Sequence, residues 1–278
     1  MQPGTLVFSH ANGFPAGTYR LLFEAWRQAG WRVEAIEKIG HDPRYPVTSN
    51  WPRLRDQLID FITERQAGPA WLVGHSLGGL LSLLAASRRP DLARGVLLLD
   101  SPVITGWQAH TLRALKLSGL AARLGPGKVS RGRRHEWPSA QAAHQHFAAK
   151  TIFSRWDTRV LHDYIQAGTH PGPAGAHLAF ERDIETRIYN TLPHHLGGVL
   201  RRHPPQCPVH FIGGTASVEM RQAGLEGTRR ITHGRMQWLE GSHLFPFEQP
   251  DQTAAAVLGI LAGPGRHAPR PGGRPPGL

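Results

Sequence analysis

At 278 residues, with 40% hydrophobic and 19% charged side chains, the chain suits one large globular domain, or a core with an inserted subdomain. The single cysteine, Cys207, excludes an intramolecular disulfide, and no apolar run nears the ~18 residues of a membrane span; the longest lies around Leu80–Ala86. The formal net charge of +12 raises nucleic acid as a partner, but the arginines are scattered and no basic stripe is interleaved with aromatics, so a solvated arginine-rich surface is expected instead.

Local basic concentrations occur only at Lys128–Arg134 and in the tail at Arg266, Arg270 and Arg274. The start, Met1–Thr5, has no basic segment followed by an apolar one. No signal peptide is expected, and cytoplasm is the default location. Between Gln206 and Pro208, Cys207 is expected to pack as a small apolar residue at the beginning of a strand.

In chain order, Thr5–His10 is an apolar run that predicts a buried strand, followed by a Gly- and Pro-bearing loop over Ala11–Gly17. Tyr19, Leu22, Phe23 and Trp26 fall at i, i+3, i+4 and i+7 and predict an amphipathic helix that ends at Gly30. Trp31–Ile39 reads as a second strand. Asn50 is the expected N-cap of a helix over Trp51–Gln66, with Pro52 in its first turn and Leu54, Leu58, Phe61 and Ile62 as its buried stripe. Next come a strand through Trp71–Val73, a turn, and a helix running to Arg89 and stopped by Pro90. Arg94–Asp100 is a further buried strand ending in an acid. Strands alternating with helical crossovers imply a parallel sheet covered on both faces, with its active site at the carboxyl ends of the strands.

From about Ile104 to Pro204 strand-like runs vanish, and a mainly helical cap is expected, with helices over Ala140–Phe153 and Thr158–Gly168. The core pattern resumes with a strand over Val209–Gly214, a helical stretch over Ser217–Thr228 and a strand over Met236–Glu240. A loop over Gly241–Phe247 and a last helix over Pro250–Leu261 complete it. The division expected is therefore core over 1–103 and 205–262, cap over 104–204, and a disordered Pro-, Gly- and Arg-rich tail over 263–278.

The turn after Val73 reads Gly74-His75-Ser76-Leu77-Gly78, a G-x-S-x-G pattern set between an apolar strand and an apolar helix. In that context a serine sits on a strained strand-to-helix turn with its hydroxyl exposed. The glycines are needed because a Cβ would strike the neighbouring strand or helix. The helix N-terminus also aims backbone N–H groups at an anion forming beside the serine.

With the elbow Gly74–Gly78, the early Asn12-Gly13-Phe14-Pro15 loop and the late Gly241-Ser242-His243 in order, the chain resembles the α/β-hydrolase fold superfamily over nearly its whole length. Within it, the chain looks like the single-chain bacterial serine hydrolases with an inserted helical cap. The resemblance implies a mostly parallel, doubly wound sheet. The family usually opens with two strands before the first loop, whereas here Thr5–Ser9 leads straight into it, so the runs above shorten the sheet to about six strands. It implies Ser76 as nucleophile, His243 as general base, and the backbone N–H groups of Leu77 and Phe14 as oxyanion donors. His10 and Asn12 either brace the Phe14 loop or serve as plain turn residues.

The acid departs from the family pattern. Its usual place, a few residues past the glycine of the next-to-last strand, holds Ser217, which cannot carry charge. Asp100 and Glu219 are the substitutes, Asp100 preferred because a strand end fixes an acid better than a helix surface; a histidine-only dyad is the third option. The reaction implied is cleavage of an ester or related acyl compound, a small molecule, through an acyl-enzyme. Perhydrolysis, C–C hydrolysis, acyl transfer, or ligand binding without catalysis are the alternatives. No phosphate loop or dinucleotide fingerprint occurs, so no cofactor is expected. No metal is expected either, since neither His144/His146 nor His194/His195 has helical i, i+4 spacing with a carboxylate partner.

Overall fold

The computed structural model describes residues 4–263 apart from 121, 122, 124 and 174. The tail expected to be disordered falls, from residue 264 onward, outside the described residues. The core begins with β1 (Thr5–Ser9), α1 (Arg20–Gln28), β2 (Arg32–Ala35), α2 (Pro52–Glu64), β3 (Ala70–His75), α3 (Leu77–Arg88) and β4 (Ala93–Leu99). After an insertion that carries β5 (Glu136–Trp137), β6 (Thr169–Gly172) and β7 (Gly175–Leu178), it closes with β8 (Val209–Gly214), β9 (Met236–Leu239) and the helix Pro250–Leu261.

Six strands form one sheet in the order β2-β1-β3-β4-β8-β9, and every neighbouring pair is parallel. Side chains alternate across it. Leu6, Phe8, Val73, Leu97, Leu99 and Ile212 face one layer with Leu22, Phe23 and Trp26 of α1 and Val257 and Leu261 of the last helix. Val7, Leu72, Val96, Leu98 and Phe211 face the other, with Leu54, Leu58 and Ile62 of α2 and Leu81, Leu83 and Leu84 of α3. Both faces are covered, which explains the continuous apolar runs of β3 and β4. Each fully buried Leu contributes about 1.5–3 kcal/mol relative to exposure.

Several elements differ from the sequence expectation. The second strand stops at Ala35 rather than Ile39, because the backbone beyond it is committed elsewhere. The Glu37 carbonyl accepts from Ala16, and the Ile39 N–H donates to the His10 ring. Asn50 does not cap α2. Its side chain accepts from the His194 N–H, and Trp51, with φ 60°, stands at the cap position. The Ser217–Thr228 stretch is two short helices, Val218–Ala223 and Glu226–Thr232, separated at Gly224 with φ 72°. The helix expected to reach Phe153 ends at Ala148.

The largest difference lies in the insertion. It is mainly helical, but where the sequence shows no strand-like run β5, β7 and β6 form a three-stranded antiparallel sheet in that order. These strands are too short, and too rich in His, Pro and Gly, to give a period-2 apolar signal. Trp137 and Leu178 anchor the sheet to the core. Among the described residues, no helix is long and apolar enough to cross a membrane. Cys207 is a free thiol, partly buried against the core, and burial pushes its pKa up to about 11.

Candidate active site

The carboxyl ends of β1, β3, β4, β8 and β9 bring the candidate residues together. Ser76 follows β3 directly, with φ 52° and ψ −113°, a backbone region that side chains other than glycine's rarely adopt. The turn is pinned, because the Ser76 N–H donates to the Leu99 carbonyl at 3.0 Å. Leu77 opens α3, so its N–H lies outside the helix's own hydrogen-bond ladder.

His243 lies in the loop between β9 and the last helix. Its Nε2 is 3.0 Å from Ser76 Oγ, and its Nδ1 is 2.7 Å from Asp100 Oδ2. Asp100, completely buried, accepts from the Gly214 N–H at 2.7 Å and from the Ser217 hydroxyl at 2.6 Å. Glu219, half-exposed, approaches the same Nδ1 only to 4.0 Å. Ser217, at the position where the family pattern places an acid, hydrogen-bonds Asp100 instead. Burial pulls the His243 pKa down, but the Asp100 hydrogen bond and the charges of Asp100 and Glu219 outweigh it and leave it raised above 6.5.

The Ala11–Phe14 loop lies beside this row. Gly13 has φ 86°, and the Phe14 N–H closes the turn onto the Ala11 carbonyl at 3.2 Å. His10 and Asn12 both brace it. The Ile39 N–H donates to His10 Nε2 at 2.7 Å, so the proton on Nδ1 faces the Ala11 carbonyl at 2.8 Å. Burial lowers the His10 pKa to about 4, which keeps the ring neutral. Asn12 donates to the Glu185 carbonyl.

Sequence reasoning missed a buried relay beneath the site. The Ala11 N–H donates to Tyr19 Oη at 3.1 Å, and Tyr19 Oη lies 2.8 Å from His75 Nδ1. His75 Nε2 lies 2.9 Å from the His243 carbonyl oxygen. Only one proton arrangement satisfies all three contacts. Tyr19 donates to Nδ1, and Nε2–H donates to the His243 carbonyl. Burial first, then the neighbouring His243, drives the His75 pKa well below 6.5, consistent with this neutral form. Tyr19→Phe leaves the Ala11 N–H and His75 Nδ1 buried without a partner. Denaturant unfolding should register a loss of about 1–3 kcal/mol; a change under ~0.5 kcal/mol would mean that water or a shifted ring replaces the phenol.

The histidine loop is itself fixed by Glu248, whose carboxylate accepts from the Ser242 N–H at 2.9 Å and from the Ser242 hydroxyl. The Phe14 ring packs on Trp156, Tyr164 and Phe247, with centroids 5.1–5.7 Å away. Behind Gly13, Arg133 pairs with Glu185 at 2.7 Å and donates to Tyr164 Oη at 2.7 Å. Arg133 belongs to the Lys128–Arg134 cluster assigned to solvent, yet its side chain is mostly buried. Among the described residues, His144/His146 and His194/His195 join no group of three metal donors.

The family model described as "Alpha/beta hydrolase family" matches residues 6–256. Monoglyceride lipase of Rattus norvegicus is 32% identical over 130 residues, which is 44% of this chain and 42% of that protein. The chain therefore aligns with less than half the length of that relative. The sn-1-specific diacylglycerol lipase ABHD11 of Mus musculus is 23% identical over 266 residues, 92% of this chain and 80% of that protein. Among solved structures, E-2-(acetamidomethylene)succinate hydrolase has a TM-score of 0.74 at 21% identity, over 94% of this chain and 92% of that one. A thioesterase domain from the curacin biosynthetic pathway has a TM-score of 0.70 at 19% identity, over 92% and 91%. At such identities the structural likeness bears on the fold alone.

Proposed function

The chain belongs to the alpha/beta hydrolase family, and on that premise we propose that it is a serine hydrolase that cleaves a carboxylic ester, or a related acyl compound, through an acyl-enzyme. The observation that carries this reading is the unbroken row Asp100–His243–Ser76, with contacts of 2.7 and 3.0 Å. His243 Nε2 takes the Ser76 proton as Oγ attacks the acyl carbonyl. The negative charge that develops on the carbonyl oxygen is met by the N–H groups of Leu77 and Phe14. For Phe14 this means giving up its bond to Ala11, long at 3.2 Å. The imidazolium, held by Asp100, returns the proton to the leaving alkoxide, which departs as the alcohol. A water then repeats the attack with His243 as base, releasing the carboxylic acid and free serine.

The cap, residues 104–204, closes the acyl side of the site. The cluster of Phe14, Trp156, Tyr164 and Phe247 supports an apolar acyl chain. The names of the lipase relatives put glycerol esters first among the candidates. A fluorophosphonate probe should label the folded protein at one equivalent per chain, with the adduct mapping to the peptide that contains Ser76. A panel of p-nitrophenyl esters, monoacylglycerols and acyl thioesters should then rank chain length and leaving group. Folded protein that neither takes the label nor turns over any member of the panel would leave ligand binding without catalysis as the better reading.

A further inference from the structure

The small cap sheet gathers imidazoles where the chain order scatters them. Glu136 lies opposite His177 across the β5–β7 pair, and His177 lies opposite His170 across the β7–β6 pair. Directly opposed residues of antiparallel strands share a face, with Cβ atoms about 4.5–5.5 Å apart. The side chains follow that geometry. His177 Nδ1 lies 3.4 Å from Glu136 Oε1, and the His170 and His177 ring centroids are 5.4 Å apart. His135, just before β5, turns onto the same spot. Its ring centroid is 5.2 Å from that of His177, and its Nε2 is 3.9 Å from the same Glu136 oxygen. One donor atom from each of His135, Glu136 and His177 lies within 4.8 Å of the others.

We propose that His135, Glu136 and His177, beside the neighbouring His170 ring, bind one divalent transition-metal ion of the zinc class. In a tetrahedral site with bonds of about 2.0–2.2 Å, neighbouring donors stand roughly 3.3–3.6 Å apart. The carboxylate–imidazole separations of 3.4 and 3.9 Å come near that spacing before any ion draws the donors in. Two or three imidazoles with one carboxylate suit Zn²⁺, Ni²⁺, Co²⁺ or Cu²⁺ and disfavour Mg²⁺ and Ca²⁺, which take oxygen donors. Arg182 is the opposing feature, its Nη2 lying 3.4 Å from His135 Nε2. Nε2 carries a single lone pair, which accepts from Arg182 in this contact, so the ion must displace the guanidinium to bind there. Glu181 and Asp183 line the same open cavity as His135, His177 and Arg182.

The site sits on the outer face of strands whose inner side chains, Trp137 and Leu178, are buried in the core beside the cap aromatics. A bound ion would therefore clamp the sheet without touching Ser76, His243 or Asp100. Chelator-treated protein titrated with ZnCl₂ in a calorimeter should bind one ion per chain, and Co²⁺ should give the visible absorption of a tetrahedral site. His177→Ala and the isosteric, exposed Glu136→Gln should each weaken binding tenfold or more and abolish the rise in melting temperature that zinc gives the parent. Ester hydrolysis of metal-free His177→Ala should match the parent. Absence of saturable binding would reduce the row to His–Glu ion pairs and overturn the proposal. Binding of undiminished affinity in Glu136→Gln and His177→Ala would overturn it too. If that binding also stopped hydrolysis, it would assign the ion to the Asp100, Glu219 and His243 group, whose donors also lie within 4.8 Å of one another.

Discussion

Asp100→Asn is expected to lower kcat for ester hydrolysis by about 10³–10⁴-fold, whereas Glu219→Gln should stay within about fivefold of the parent. The two carboxylates differ in what surrounds them. Asp100 is wholly buried and accepts from Gly214, Ser217 and His243. Glu219 is half-exposed and 4.0 Å from the imidazole, where solvent screens it. An asparagine at 100 keeps the shape but can turn an N–H₂ group toward His243 Nδ1. The imidazole then settles in the other tautomer, with its proton on Nε2 facing Ser76, and cannot accept from the hydroxyl.

The pH profile gives an independent readout. In the proposed mechanism hydrolysis needs neutral His243, so activity should fall as pH drops through its pKa, which the Asp100 bond and the two acidic charges hold above 6.5 against the pull of burial. Removing the Asp100 charge leaves burial dominant, so the acidic limb of kcat/KM should move to lower pH in the residual activity of Asp100→Asn. In Glu219→Gln it should move the same way by less. A collapse of kcat in Glu219→Gln with Asp100→Asn nearly intact would reassign the acid.

Legibility followed sequence distance. Ser76 was readable because strand, turn and helix are contiguous, so the glycines and the apolar flanks report one local geometry. Asp100 is only one of three options in the sequence, since its contact with His243 spans 143 residues and nothing local distinguishes a triad acid from a capping carboxylate. Ser217 illustrates the same limit. Its hydroxyl donates to Asp100 and its oxygen accepts from the Met220 N–H, a helix cap and an acid's support in one side chain. Tyr19 reads as a helix-face aromatic and His75 only as a variable position of the elbow pattern, although together they tie the Ala11 loop to the His243 loop. The cap sheet escaped because strands of two to four residues carry no periodicity, and the imidazole row exists only once they pair.

Gly78→Ala is expected to destabilise the fold by about 3 kcal/mol or more, enough to deplete soluble protein. A Cβ built on Gly78 would stand 1.9 Å from the Ser9 carbonyl oxygen and 2.3 Å from its carbon. Both are backbone atoms at the end of β1, and β1 is held between β2 and β3. No rotamer relieves the clash, so α3 must lift from the sheet. Gly74 prevents relief in the other direction, because a Cβ there would sit 2.2 Å from the Gly78 carbonyl carbon. The pair forces the first turn of α3 against the ends of β1 and β3. That close approach sets Gly78, next to Leu77, against Ser9, the residue before the loop that begins at His10. Gly259, in the last helix, supplies the contrast: its Cβ would meet nothing within 4 Å. Gly259→Ala should therefore stabilise by about 0.5–1 kcal/mol, the gain expected from stiffening a helical glycine. Thermal unfolding of both variants separates the explanations. If Gly78→Ala melts within ~2 °C of the parent, then β1 and α3 can part at little cost and the glycines do not hold the elbow in place.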